Sequence, residues 1–323
     1  MKYQMNRRGF SGLALAAISG YALEAKPVVA SEMNTNVQDS KRPGLLVLFH
    51  GSPDPQWNSR AEKLVGQVRE MNEKCGIFHA VEGSLMEFAQ PDAAAGIEKL
   101  ETVGCDRIIV VPAFVFPTSH SHFDVPAVLG LYTSPSVRKT LQEENARVAR
   151  PQVPITMTAT LSEGDLLDRY LCNEAKKCSK KPSNETLLVM AHGDAAHEGL
   201  ITPVMERITK KAAESVGISQ YEWAYCGMGQ RLYRDLTSPL ERLGKDGKTV
   251  LILGVWLASS PRDIRESAEM MMTHGGKNNH DKQEHSSVKN PFDGIDTRLS
   301  DGAIIDNPST PGFVYTIAKD ALM

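Results

Sequence analysis

The chain has 323 residues, 41% of them hydrophobic, and a net charge of −3, enough for one large domain or two modest ones with a real core. The near-neutral charge gives no support to nucleic-acid binding, which rests on a basic face. No apolar run of the length a spanning helix needs follows the first thirty residues, so no helical membrane span is expected there.

Residues 1–30 read as a targeting segment. Arg7 and Arg8 precede Gly9 and Phe10, an apolar run of small residues extends to about Leu23, and small residues recur at Ala25 and Val28-Val29-Ala30. That order is a signal peptide, and the Arg pair with Phe two positions on is similar to a twin-arginine signal, with Asn6 where Ser or Thr is usual. Export to the periplasm in the folded state follows as the expected localisation. Residues 31–43 are polar and read as a disordered leader.

Gly44 to Phe49 is a short apolar run ending in His50-Gly51-Ser52, the pattern of a buried parallel strand. A helical pattern follows to about Asn72, with Ala61, Leu64, Val65 and Val68 on one face. A second strand is expected from Ile77 to Glu87, and a helix opening at Pro91 and closing at Gly104. Residues 107–116 read as a third strand, followed by a loop carrying His120 and His122, a helix from about Val125, and a last strand from Val153 to Ala159. Strands alternating with helices predict an α/β fold with parallel sheets.

The pattern then repeats. Thr186 to Asp194 matches Gly44 to Ser52 at an offset of 192 minus 50, which is 142. At the same offset Ile109-Val-Val-Pro112 falls on Leu251-Ile-Leu-Gly254. Two matches at one spacing argue for duplication. The expected organisation is an N-terminal lobe over 44–178, a C-terminal lobe over 185–273 and a polar tail over 274–323, with the boundary near 176–184. The tail carries His274, His280 and His285 and has two readings, a solvated tract or a metal-collecting segment. The five cysteines include no C-x-x-C pair, which argues against a zinc ribbon or thioredoxin-like site. Cys172 and Cys178 are either a disulfide of an oxidising compartment or two free thiols.

His50 stands where a buried strand runs into a glycine turn, and His120 and His122 follow the third strand. All three therefore emerge at the carboxyl edge of the sheet, where open α/β folds hold ligands. Converging imidazoles suit Co²⁺, Fe²⁺, Ni²⁺ or Zn²⁺. The competing reading is that His50 only hydrogen-bonds its own turn.

Leu45-Leu-Val-Leu-Phe-His50-Gly-Ser52, Ser84-Leu-Met-Glu87-Phe-Ala-Gln-Pro91, and Arg107-Ile-Ile-Val-Val-Pro112 with Phe114-Val-Phe-Pro-Thr-Ser-His120 and Asp124-Val-Pro126 resemble the class II tetrapyrrole metal chelatases, of the sirohydrochlorin cobaltochelatase or ferrochelatase type. The resemblance covers about residues 44–160 and selects His120 over His122. It implies two similar lobes with a cleft at the strand ends, and a lyase that inserts Co²⁺ or Fe²⁺, or Ni²⁺, into a tetrapyrrole such as sirohydrochlorin. No cofactor beyond the metal substrate is implied. His50 and His120 would hold the metal and accept protons, and Glu87 would help pass protons out. Two pyrrole N–H protons must leave as the metal enters, and imidazole is suited to take them near neutrality. Phe114 and Phe116 would wall an apolar cleft.

The second lobe departs from this pattern. It keeps His192 but has Arg262 where the offset places His120, so it reads as a wall of the cleft without a full metal site. His192 and His197 then have two readings, structural roles or the binding of some other ligand, and Arg262 is a candidate partner for a macrocycle carboxylate. The leader and the degenerate second lobe also sustain an alternative function, an exported metal- or tetrapyrrole-binding carrier without catalysis.

Overall fold

The computed structural model of the chain describes residues 41–143, 146–227, 230–274 and 290–323. The expected signal peptide and nearly all of the expected leader lie outside them. Strand β1 (Pro43–Phe49) is buried throughout, with Leu45, Val47 and Phe49 facing one core and Leu46 and Leu48 another. Period-two alternation of apolar residues on both faces is what a central parallel strand requires. Helix α1 (Pro55–Cys75) starts where the Asp54 carboxylate accepts from the Gln56 amide at 2.9 Å, and it ends at the left-handed Gly76. Its stripe of Ala61, Leu64, Val65 and Val68 is buried as the periodicity predicts.

Strands β2 (Ala80–Leu85), β3 (Arg107–Pro112) and β4 (Ile155–Met157) join β1 in a parallel sheet of order β2-β1-β3-β4, with α2 (Ala93–Thr102) linking β2 to β3. Beyond β3 the chain makes a π-helical turn over His120–Asp124, then the short helices α3 (Val125–Val128) and α4 (Pro135–Glu143). Helix α5 (Leu166–Cys178) closes this half. The third strand therefore stops at Pro112 and not at 116. Phe114 and Phe116 have left the sheet, the first to enter the outer core and the second the inner one.

The second half repeats this order. Strand β5 (Glu185–Ala191), α6 (Glu198–Val216), β6 (Tyr221–Tyr225), α7 (Gln230–Leu243), β7 (Thr249–Val255), α8 (Pro261–His274), β8 (Thr297–Leu299) and α9 (Thr310–Asp320) build a parallel sheet of order β6-β5-β7-β8 with its helices. The offset of 142 carries β1 onto β5 residue for residue, and β4 onto β8, since 297 minus 155 is also 142.

One expectation changes here and one open choice is decided. The second lobe does not end at 273, because 290–323 is not a free polar tail. Strand β8 extends the sheet beside β7, and α9 buries Val314, Tyr315 and Ala318. A three-residue strand and one amphipathic stripe are hidden by the segment's average polarity. His280 and His285 lie outside the described residues. Cys172 and Cys178 are free thiols. They sit six residues apart on one helix, a rise of about 9 Å, too far for a disulfide.

The lobes share a core. The inner faces of both sheets and the apolar stripes of α1, α5, α6 and α9 form one continuous cluster, while α2, α3 and α4 cover the outer face of the first sheet and α7 and α8 that of the second. Within the shared layer the halves exchange helices. Helix α5 packs on α6 and β7 of the second half, and α9 packs on α1 and β3 of the first. Polar ties follow the exchange: Tyr170 donates to the Gly302 carbonyl at 2.8 Å, Tyr315 to Asn72 at 3.1 Å, and Arg60 pairs with Asp306 and the Ala258 carbonyl. Among the described residues no helix is long and apolar enough to cross a membrane.

Candidate metal centre

The first sheet reverses its connections between β1 and β3. The chain leaves β1 towards β2 and leaves β3 towards β4, which opens a crevice at the carboxyl ends of those strands. His50 follows β1, Glu87 follows β2, and His120 opens the loop after β3. One ligand atom from each lies within 4.8 Å of the others. The sequence placed His50, His120 and His122 at one edge and offered Glu87 through the family resemblance; the structure brings together His50, Glu87 and His120.

Backbone geometry at the strand ends holds the group. The Met86 amide donates to the Phe49 carbonyl at 2.8 Å and the Glu87 amide to the His50 carbonyl at 2.9 Å, so the β1 and β2 ends run on in register past the sheet. Gly51 has φ +92, and a Cβ there would lie 2.2 Å from the Glu87 carbonyl oxygen, so only glycine fits. Asn58 of α1 clasps the next peptide, accepting from the Ser52 amide at 3.0 Å and donating to its carbonyl at 2.7 Å.

The imidazoles are oriented from behind. His50 Nδ1 lies 3.0 Å from the Gly51 carbonyl oxygen, and His120 Nδ1 lies 2.7 Å from Asp124 Oδ2. Both partners can only accept, so each Nδ1 carries the proton and each Nε2 offers its lone pair to the crevice. A carboxylate behind a ligating imidazole is the usual device for fixing its tautomer and raising its basicity. The π-helical turn sets the spacing: the Val125 amide bonds the His120 carbonyl, and the buried Ser121 hydroxyl donates to the Thr118 carbonyl at 3.0 Å. The ring centroids of His50 and His120 are 4.9 Å apart. Two imidazoles bound cis to one ion through bonds of about 2.1 Å have centroids about 5 Å apart. Glu87 Oε1 lies 4.0 Å from His50 Nε2, leaving room for an ion between them.

His122 does not join this group. Its ring faces His197 of the second lobe, at 5.0 Å between centroids. Phe116 is 3% exposed and belongs to the core, so it walls nothing, and Phe114 is 9% exposed with its ring edge-on to His50. The accessible aromatic at the mouth is Phe88, 61% exposed and 5.9 Å from the His50 ring. Its φ of +67 is costly for a bulky residue. Neither Phe88 nor the orienting role of Asp124 was legible from sequence as a site feature. The i to i+4 spacing of His120 and Asp124 was the available signal.

In the second lobe His192 stands at the position of His50, and its Nδ1 faces the Cys226 carbonyl at 3.3 Å. By strand register β2 maps onto β6 at an offset of 140, so the equivalent of Glu87 is Gly227, and at the offset of 142 that of His120 is Arg262. Arg262 pairs through Nε with Asp301 at 2.7 Å within its own lobe. The second lobe reaches the site through Asp194, which accepts from the Ser119 amide at 2.7 Å and the Ser119 hydroxyl at 2.9 Å. Burial works to raise the Asp194 carboxyl, but these bonds hold it below the usual carboxylate range. The residue preceding His120 is thereby anchored across the cleft.

Residues 44–178 match the CbiX family model. A sirohydrochlorin cobaltochelatase of Methanococcus aeolicus is 36% identical over 87 residues, 27% of this chain and 58% of that protein. The matched stretch thus spans less than two thirds of that relative. Over the larger part of the chain the likeness is one of fold. SirB from Bacillus subtilis with Fe³⁺ aligns with a TM-score of 0.59 at 16% identity, covering 87% of this chain and 95% of that one. A SirB from Bacillus subtilis subspecies spizizenii in complex with cobalt aligns at 0.55 and 13% identity, covering 87% and 95%. The α/β fold of two four-stranded parallel sheets flanked by helices is shared with these chelatases.

Proposed function

We propose that the chain is a class II chelatase that inserts a divalent metal ion, Co²⁺ or Fe²⁺, into a tetrapyrrole of the sirohydrochlorin type. The observation that carries this reading is the convergence of His50, Glu87 and His120 within 4.8 Å at the crevice. Its support is that the matched family and relatives are sirohydrochlorin chelatases. The metal is a substrate, held by the Nε2 atoms of His50 and His120 and by the Glu87 carboxylate, and no further cofactor takes part.

In this reading the macrocycle enters with its face towards the two imidazoles. As the ion passes into the ring, two pyrrole protons leave. His120 and Glu87 are placed to accept them, because each loses its metal bond at that moment and regains a free lone pair. Asp124 stabilises the imidazolium that results on His120. The exposed Phe88 ring offers a flat apolar surface to the macrocycle.

The test is an absorbance assay of sirohydrochlorin with Co²⁺, Fe²⁺ and Ni²⁺ against a protein-free control. A protein-dependent rate that drops about 100-fold or more in His50→Ala and His120→Ala is expected, and the preferred ion identifies the metal. No acceleration with any ion refutes the chelatase reading.

A further inference from the structure

The loop that supplies His120 presents a second imidazole two residues on, turned across the cleft. His122 and His197 come from different lobes, and their ring centroids are 5.0 Å apart with planes at 42°. That separation is nearly the 4.9 Å of His50 and His120, and it again meets the spacing of about 5 Å expected for two imidazoles cis on one ion. The surroundings repeat the pattern of the first pair. His197 Nδ1 is buried without a hydrogen-bond partner but lies 3.2 Å from Asp194 Oδ2, whereas His120 Nδ1 is hydrogen-bonded to Asp124, so a carboxylate stands beside one imidazole of each pair. Nδ1 is buried on the Asp194 side, which leaves His197 Nε2 as the ligand atom. His197 is held firmly, with its side chain 11% exposed and its amide bonded to the Asp194 carbonyl at 2.9 Å. His122 is exposed, and among the described residues its ring has no hydrogen-bond or ion-pair partner.

We infer that His122 and His197 form a second divalent-cation site across the interlobe cleft, oriented by Asp194 and completed by water. The ligand class is a borderline transition-metal ion such as Co²⁺, Ni²⁺ or Zn²⁺, which imidazole prefers over Mg²⁺ or Ca²⁺. With two protein ligands and an exposed rim, the site binds more weakly than the His50 centre and exchanges its ion readily. An ion held there lies on the same loop as His120, which makes the site an intake position for the metal substrate; this role, unlike the binding itself, rests on the chelatase reading.

The experiment is equilibrium dialysis of the full chain against Co²⁺ alone, with no macrocycle present. His122→Ala and His197→Ala are each expected to bind one equivalent fewer than the wild type, while the double variant His50→Ala with His120→Ala retains that equivalent and loses the other. Equal binding by wild type and His122→Ala overturns the site. His122 is exposed and unpartnered, so that comparison does not depend on folding. Because no tetrapyrrole is used, this result is separate from the insertion assay: either proposal can fail while the other stands.

Discussion

At the scale of single residues, the site depends on two backbone positions as much as on its ligands. Gly51 combines positive φ with contact against the Glu87 carbonyl. Gly51→Ala is expected to cost about 2 kcal/mol or more, from left-handed strain plus overlap. It should also weaken Co²⁺ binding, because the His50 and Glu87 backbones are forced apart. Urea denaturation and a Co²⁺ titration check both, and unchanged affinity would show that the turn does not position the ligands. Phe88 has the opposite balance. A bulky residue at φ +67 stores roughly 1–2 kcal/mol of strain with most of its ring in solvent. Phe88→Gly should therefore stabilise the fold by about 1 kcal/mol and, under the proposed chelatase function, raise KM for sirohydrochlorin several-fold. If KM does not move, the exposed ring has no part in holding the macrocycle.

At the scale of elements, the exchange of α5 and α9 is the main device. Val314, Tyr315 and Ala318 of α9 complete the core over the first sheet, though they come from the end of the second half. Val314→Asp places a carboxylate in that shared layer, and a loss of about 4 kcal/mol is expected. Because each half carries a helix of the other's core, calorimetry should show one transition shifting as a whole. Two transitions, with one unmoved, would mean that the halves fold independently.

At the scale of the whole molecule, acid stability has a located contributor at the junction of the halves. Glu185 opens β5, and its nearly buried carboxylate accepts from the Ser179 hydroxyl at 2.6 Å, the Lys180 and Lys181 amides and Arg298. Burial alone would raise it; the donors prevail and hold it down from 4.5 to about 2. A carboxyl lowered in the folded state stabilises fully above its unfolded value, and the contribution fades as pH falls from about 4.5 to about 2. The shift corresponds to on the order of 3 kcal/mol. Glu185→Gln should therefore lose stability at neutral pH and show a flatter decline between those limits. A decline of wild-type steepness in the variant would place the acid sensitivity elsewhere.

Much of this was legible along the chain. The apolar runs at β1, β3, β5 and β7 and the turns behind them follow from local hydrophobic period and glycine placement, and the offset of 142 implies the duplication directly. His50, His120 and His122 could be placed together because strand ends in a parallel sheet all face one edge, and the family resemblance added Glu87 and selected His120 over His122. Tertiary structure alone decided the rest. That His122 turns to His197 and away from His120, that Asp194 grips Ser119, and that residues 290–323 return to complete both lobes are contacts between residues remote in sequence. They depend on how two sheets share one core, and no periodicity within a single segment encodes that arrangement.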